Sequence, residues 1–361
     1  MSNMNDMGSL RTPICDLLGC RYPVIQTAMG YVAGADLVIG TTNAGGFGFL
    51  AGATIAADRI EAEILRVKRE TDDQPFGLNF HMFQPNAQQL LDLAVKYRLR
   101  AVSYGRGPDK KVIGRLRDAG IVCMPTVGAL KHAQKAIEMG ANAITVQGGE
   151  GGGHTGSVPT TVLLPQVVDA VEVPVIAAGG FYDGRGLLAA LAYGASGIAM
   201  GTRFLMTSDS KVPAETLQRY LATKDAEKIA ISHLVDGMPQ RMIPNEYLTM
   251  LEKASPLKRV RIALSLAMQW KAQTGMTTGH ALSVLWQALR EDPASVAQTV
   301  MAANAPMLLQ RSMVEGNPAE GVMSAGQVAA LIGQLDSCQD VIHGIVAQAR
   351  QRYQQLAPSL S

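Results

Sequence analysis

Eight short apolar runs rich in β-branched residues alternate with helix-patterned stretches between Tyr22 and about Met206. The runs are Pro23 to Gln26, Gly46 to Ala51, Phe76 to Phe80, Ala101 to Tyr104, Ile121 to Thr126, Ala143 to Gln147, Val173 to Ala178 and Ile198 to Gly201. Between them apolar residues recur three and four apart, as at Ile60, Ile64 and Val67, or at Leu130, Ala133, Ala136 and Ile137, which is the spacing of one buried helix face. Strand followed by helix, repeated, implies parallel strands buried on both sides. An open doubly wound sheet more often stops at five or six strands, so eight repeats predict an α/β fold of the (β/α)8 TIM-barrel kind.

After Thr207 the rhythm changes and no further strand is expected. Leu248 and Leu251, then Ile262, Leu266 and Trp270, then Ala281, Val284, Leu285 and Ala288 recur at helical spacing, which predicts an additional helical domain. The expected organisation is a barrel body over residues 12–210, a mainly helical substrate or lid domain over 211–320, and a C-terminal helical segment over 321–355 that returns to the barrel. The tail from Leu356 to Ser361 is expected to fray. Lys258, Arg259 and Arg261 read as a solvated helix face, with contact to a phosphorylated substrate as the alternative.

Composition narrows the class. Hydrophobic residues make up 47% and charged residues 17% of 361, enough for a large core and too little charge for disorder. Lys and Arg outnumber Asp and Glu by only 32 to 30, so no sequence-wide basic field favours nucleic acid or an anionic membrane. Cys15, Cys20, Cys123 and Cys338 are scattered; without a CxxC pair or a His/Cys cluster, neither a metal site nor a disulfide scaffold is expected. No apolar run approaches the roughly 20 residues of a membrane helix, and Met1 to Leu10 is polar, so the expected location is cytoplasmic.

Glycine is the unusual component, with 37 residues, about one in ten against a usage near 7%. Many fall in pairs and triplets just after the apolar runs, where a backbone must approach a ligand closely. The richest stretch is Gly148-Gly149-Glu150-Gly151-Gly152-Gly153-His154, after the sixth run. In a barrel that is the end where active sites sit, and His154 is placed there to move a proton or hold a carbonyl. Gly179 and Gly180 after the seventh run, with Gly201 and Thr202 after the eighth, match the place where such barrels bind phosphate. Ala28, Met29 and Gly30 after the first run are small enough to admit a flat ring. Asn79 in the third run is a candidate for that ring's polar edge, or a buried amide serving the backbone.

Six ordered blocks, QTAMGYVAG, NAGGFGFL, PFGLNF, GGEGGGHTG, PVIAAGGFYDGRG and GTRFLMT, resemble the nitronate monooxygenase family, formerly the 2-nitropropane dioxygenases. Flavin-dependent enoyl-acyl-carrier-protein reductases share the plan. The resemblance implies FMN in a TIM barrel with a smaller helical domain over its mouth. It places Ala28, Met29 and Gly30 along the flavin, and Asn79, Thr126 and Gln147 near its ring and ribityl chain. Gly152 lies in the glycine loop beside it, and Gly179, Gly180, Gly201 and Thr202 hold its phosphate. His154 falls at the family's active-site histidine. Thr126 and Gln147 depart from nitronate oxidisers, which often carry lysine and aspartate there. The further blocks GTRFLMTSDSKVP, VDGMPQR and MAANAPMLL resemble a branch of the family found in bacterial steroid degradation, which acts on coenzyme A thioesters.

The expected function is therefore an FMN-dependent oxidoreductase that moves a hydride and a proton on a bulky acyl-CoA, with NAD(P)H as a candidate electron donor or acceptor. Nitronate oxidation with O2 and NADH-dependent enoyl-thioester reduction are the alternatives within the family, and a flavin-binding protein without turnover the alternative outside it. The apolar helices after Glu246 are candidates for a homodimer contact.

Overall fold

The computed structural model describes residues 10–82, 84, 86–105, 109–274, 279 and 304–360. Each of the eight apolar runs contributes a strand: β1 (Val24–Gln26), β2 (Phe47–Ala51), β3 (Gly77–Phe80), β4 (Ala101–Tyr104), β5 (Val122–Val127), β6 (Ile144–Gln147), β8 (Val175–Ala178) and β9 (Gly197–Met200). Between the sixth and seventh of these lies a two-residue strand, β7 (Gly153–His154). All eight pair in parallel, and β1 closes on β9 through Val24↔Ile198 and Gln26↔Met200. The fold is the expected TIM barrel.

Alternation along each strand sends every second side chain inward. The lower barrel is filled by Ile25, Phe47, Phe49, Val122, Met124 and Ile176, against small residues such as Ala101, Ala143 and Ala199. Helix α1 (Pro13–Leu18) plugs the N-terminal end with Ile14, Cys15 and Leu18. Phe47 and Phe49 meet edge-on at 5.1 Å, and a Cβ on Gly77 would stand 2.3 Å from the Phe49 ring. Gly77→Ala is expected to destabilise the chain by about 1–3 kcal/mol, the usual cost of overpacking a filled core. A lower denaturation midpoint at unchanged slope would measure it, and Phe49→Leu in the same chain should recover part of the loss.

Outside the barrel run α2 (Ala35–Asn43), α3 (Ile60–Glu70), α4 (Ala87–Lys96), α5 (Lys110–Asp118), α6 (Leu130–Met139), α7 (Thr160–Val168) and α8 (Gly184–Ala192). A short α9 (Thr202–Leu205) follows β9, and the chain then leaves the barrel as α10 (Ala214–Ala222), α11 (Glu246–Lys253), α12 (Pro256–Thr274) and α13 (Asn304–Met313). Ala281, Val284, Leu285 and Ala288 lie outside the described residues. Val235, Tyr247, Leu248, Leu251, Leu266 and Leu308 make a core for this region. Arg259 belongs to neither expected role: its guanidinium donates to the carbonyls of Leu251 (2.8 Å) and Glu252 (2.9 Å), satisfying the end of α11.

Two expectations need correction. Strands do follow Thr207: β10 (Ala230–Ser232), β11 (Gln240–Ile243) and β12 (Met323–Ser324) form an antiparallel sheet to which β7 is added on β11. Runs of two to four residues carry too few positions to display a period. Nor does the tail fray at Leu356, because helix α14 (Cys338–Leu360) continues through it. Helix α14 packs on α8 and α2, where the eighth helix of a barrel belongs. The approach is close enough that a Cβ on Gly184 would stand 2.3 Å from the Ile345 carbonyl oxygen, and the Gly184 N–H donates to Oε1 of Gln348 (2.7 Å). Residues 206–337 are thus inserted between the last strand of the barrel and its last helix. Among the described residues, no helix is long and apolar enough to cross a membrane.

Candidate active site

Toward the C-terminal rim the barrel interior turns from apolar to polar. Asn79 donates from Nδ2 to the carbonyl (3.0 Å) and hydroxyl (3.1 Å) oxygens of Ser103, which stands opposite it on β4. Thr126 faces Thr145 across β5 and β6. Gln147, two residues farther along β6, donates from Nε2 to the His154 carbonyl oxygen (2.8 Å). Asn79 thus serves the neighbouring strand through its amide nitrogen.

The glycine loop folds back over this polar ring. Gly148 N–H donates to the Ala178 carbonyl (3.0 Å) and Gly149 N–H to that of Val158 (2.8 Å). Gly179, at φ +88°, lets β8's end pass so close that a Cβ there would be 2.9 Å from the Gly148 carbonyl oxygen. Gly152 would strike the backbone of Ala325 and Gly326, at 2.5 Å from the Gly326 nitrogen. Its lack of a side chain therefore serves contact between two loops. Thr202 accepts the Gly326 N–H at its hydroxyl (2.9 Å), and Met29 abuts Gly201, with Sδ 3.4 Å from where a Cβ would be.

Gly180, at φ +84°, differs from these close approaches: a Cβ there would find nothing nearer than the Glu150 side chain at 3.6 Å. Glu150 is itself engaged, since its carboxylate accepts the Thr160 N–H (3.1 Å) and hydroxyl (2.8 Å) at the start of α7, where the helix dipole favours an anion. Gly180 leaves its surroundings open to 3.6 Å, and Gly201 and Thr202 stand at the start of α9, with the Thr27 and Met29 side chains beside Gly201. Amides of a first helical turn have no partner within the helix. Those residues fit a phosphate. Tyr31, beside Gly30, adopts φ +64°, a left-handed conformation that costs a non-glycine residue about 1–3 kcal/mol and clusters at functional sites.

His154 lies in β7, and its register partner on β11 is Gln240. Nε2 of His154 is 2.7 Å from Oδ2 of Asp236, the imidazole half exposed at 52% and the carboxylate buried at 5%. Burial alone would raise the Asp236 carboxyl, but the hydrogen bond and charge of His154, the Met238 N–H (3.1 Å) and the Gln240 amide together hold it below its ordinary value. An ionised carboxylate only accepts, so Nε2 carries the proton and Nδ1 is left as the basic nitrogen. The loop bearing Asp236 is held in turn by Asn304, which donates from Nδ2 to the Val235 carbonyl (3.1 Å). Arg241 fastens the glycine loop by donating to the Gly149 carbonyl (3.0 Å).

The depressed Asp236 value has a definite sign in the pH dependence. Its contribution to stability is complete above the ordinary carboxylate range and is lost as the pH falls through the lower folded-state value. Asp236→Asn should therefore flatten the acid limb of a thermal stability curve against pH. Without the anion the imidazole also loses its tautomer preference, and turnover should fall by about 10²-fold.

Three residues escaped sequence reasoning. Asp236 and Gln240 stand in the VDGMPQR block, whose only signal was the block itself. His81 follows β3 at the rim, where continued strand alternation could have pointed to it.

A closed parallel barrel whose C-terminal end carries the glycine loop and the His154–Asp236 pair has the architecture of a TIM-barrel enzyme. The family model for nitronate monooxygenase matches residues 11–90 and 83–348, and the chain belongs to this family of oxidoreductases. It is 46% identical over 346 residues to a (3aS,4S,5R,7aS)-5-hydroxy-7a-methyl-1-oxo-octahydro-1H-indene-4-carboxyl-CoA dehydrogenase of Rhodococcus jostii, covering 96% of this chain and 98% of that one. A Mycobacterium tuberculosis protein of the same description is 46% identical over 353 residues, covering 94% and 96%. Among solved structures, FabK from Thermotoga maritima superposes with a TM-score of 0.78 at 26% identity, covering 97% of this chain and 99% of that one.

Proposed function

We propose that this chain is an FMN-dependent oxidoreductase that dehydrogenates a bulky acyl-CoA, of the kind produced in steroid ring degradation, at the carbons next to the thioester. The observation that carries the reading is the His154–Asp236 pair (2.7 Å), which engages Nε2 of the half-exposed ring and leaves Nδ1 as its basic nitrogen. Similarity to the two carboxyl-CoA dehydrogenases supports the substrate class. Gly180, Gly201 and Thr202 would hold the FMN phosphate; Ala28, Met29 and Gly30 would lie along the ring, with Asn79, Thr126 and Gln147 toward its polar parts. Bound flavin supplies the hydride acceptor.

The thioester carbonyl acidifies the adjacent C–H. His154 takes that proton at Nδ1, and the buried Asp236 carboxylate stabilises the imidazolium that results. Met238 and Gln240 keep the carboxylate aimed at the ring, and Asn304 keeps its loop in place. The substrate loses a proton from Cα and a hydride from Cβ, and a carbon–carbon double bond forms.

Anaerobic mixing of the yellow protein with the CoA thioester of a hydrindanone carboxylic acid tests this. Bleaching of the flavin together with formation of the enoyl thioester is the expected result. Bleaching by alkyl nitronates alone, or by NADH alone, would overturn it in favour of nitronate oxidation or enoyl-thioester reduction.

A further inference from the structure

The rim carries a second imidazole. Side chains alternate along β3, so Gly77, Asn79 and His81 share one side of the strand. The Phe49 ring against Gly77 and the bond from Asn79 to Ser103 identify that side as the barrel interior. His81 is the first residue beyond β3, which sets it on the lip directly above Asn79. Its turn is braced: the His81 N–H donates to Oε1 of Gln84 (3.2 Å), whose Nε2 donates to Oδ1 of Asn86 (2.8 Å). The ring leans toward the end of β4, where Gly105 offers no side chain and a Cβ would be 3.8 Å from His81 Cε1.

Burial pulls the His81 pKa below its ordinary value, and the charge of His154 pulls it down further. Both effects favour the neutral ring over the imidazolium. Such a ring has one N–H to donate. It can polarise a carbonyl without surrendering its proton, as a neutral histidine does in other barrels.

We infer that His81 is a catalytic residue of the dehydrogenation, donating a hydrogen bond to the thioester carbonyl oxygen while His154 removes the Cα proton. This rests on the function proposed above. The Cα–H bond breaks, its proton goes to Nδ1 of His154, and its electron pair spreads toward the carbonyl oxygen, where negative charge grows. His81 meets that charge with its N–H. The pair then returns to form the double bond as Cβ gives up a hydride, for which a bound flavin would be the acceptor.

Two variants of the flavin-loaded protein test the assignment. His81→Phe keeps an aromatic ring and removes the donor, and His81→Gln keeps a donor. His81→Phe should retain flavin, reduce it about 10²- to 10³-fold more slowly with thioester, the scale of one lost oxyanion donor, and change KM much less. His81→Gln should recover part of that rate. An independent reading comes from the infrared stretch of a carbonyl-¹³C thioester product bound to the protein. The wild type should shift it to lower frequency, His81→Phe should return it toward the solution value, and His81→Gln should keep part of the shift. Wild-type rate and an unchanged carbonyl shift in His81→Phe would overturn the assignment. A wild-type protein whose flavin no thioester reduces would instead overturn the proposed function, and this inference with it.

Discussion

His154→Ala is expected to keep its flavin and to lose about 10² to 10⁴ in the rate at which an acyl-CoA reduces it, the usual consequence of removing a positioned base. Retention follows from what His154 contributes to the fold. Its pairing with β11 and its bond from Gln147 both use its backbone, which alanine preserves, and the proposed phosphate contacts lie on other loops. The side chain meets Asp236 (2.7 Å) and the Gln240 amide (3.3 Å). Truncation leaves that buried carboxylate with the Met238 N–H and the Gln240 amide, so a stability loss of about 1–3 kcal/mol accompanies the change. Rapid mixing separates flavin reduction from product release. An alanine variant that reduces its flavin at the wild-type rate through neutral and mildly alkaline pH would overturn the proton-transfer role. A histidine that only shaped the loop would give the opposite pattern, with flavin affinity falling and the reduction rate of the loaded fraction unchanged.

Gly201→Asp should abolish flavin retention while the barrel stays folded. A carboxylate introduced about 4 Å from a phosphate charge costs about 4 kcal/mol at an effective dielectric near 20, which is roughly 10³-fold in affinity. Gly180 is the poorer probe, because its φ of +84° would burden any side chain with about 1–2 kcal/mol of backbone strain. Gly201 has φ −98°, and a Cβ there would meet Thr27 Cγ2 at 3.2 Å and Met29 Sδ at 3.4 Å. Gly201→Ala carries the same Cβ without the charge and so isolates the steric part. Flavin content after dialysis, beside far-ultraviolet circular dichroism, measures the effect. A fully yellow Gly201→Asp protein would remove the proposed phosphate cradle.

Much of this molecule was legible in the order of its residues. Parallel barrel strands are covered on both faces, so each appears as an uninterrupted apolar run, and eight such runs announced the barrel before any contact was known. The glycine clusters and His154 were legible for a related reason: a backbone so close to another that an added Cβ would fall within 3 Å of it, as at Gly179 against Gly148, admits only one residue type. The partner of His154 was not legible. Asp236 is 82 positions away, in a loop whose placement depends on β11 pairing with β7 and on Asn304 reaching the Val235 carbonyl. The same distance in sequence hid the sheet of β7, β10, β11 and β12, whose strands are defined by their ladders and are too short to show a period. Local pattern likewise announced a helix near the C-terminus, but its place between α8 and α2 depends on Gly184 meeting the Ile345 backbone. Sequence by itself determined the barrel, its glycine-lined rim and a histidine upon it, because burial and backbone clearance act residue by residue. Tertiary structure alone decided which carboxylate holds that histidine, because that pairing joins segments that the chain's local order leaves independent.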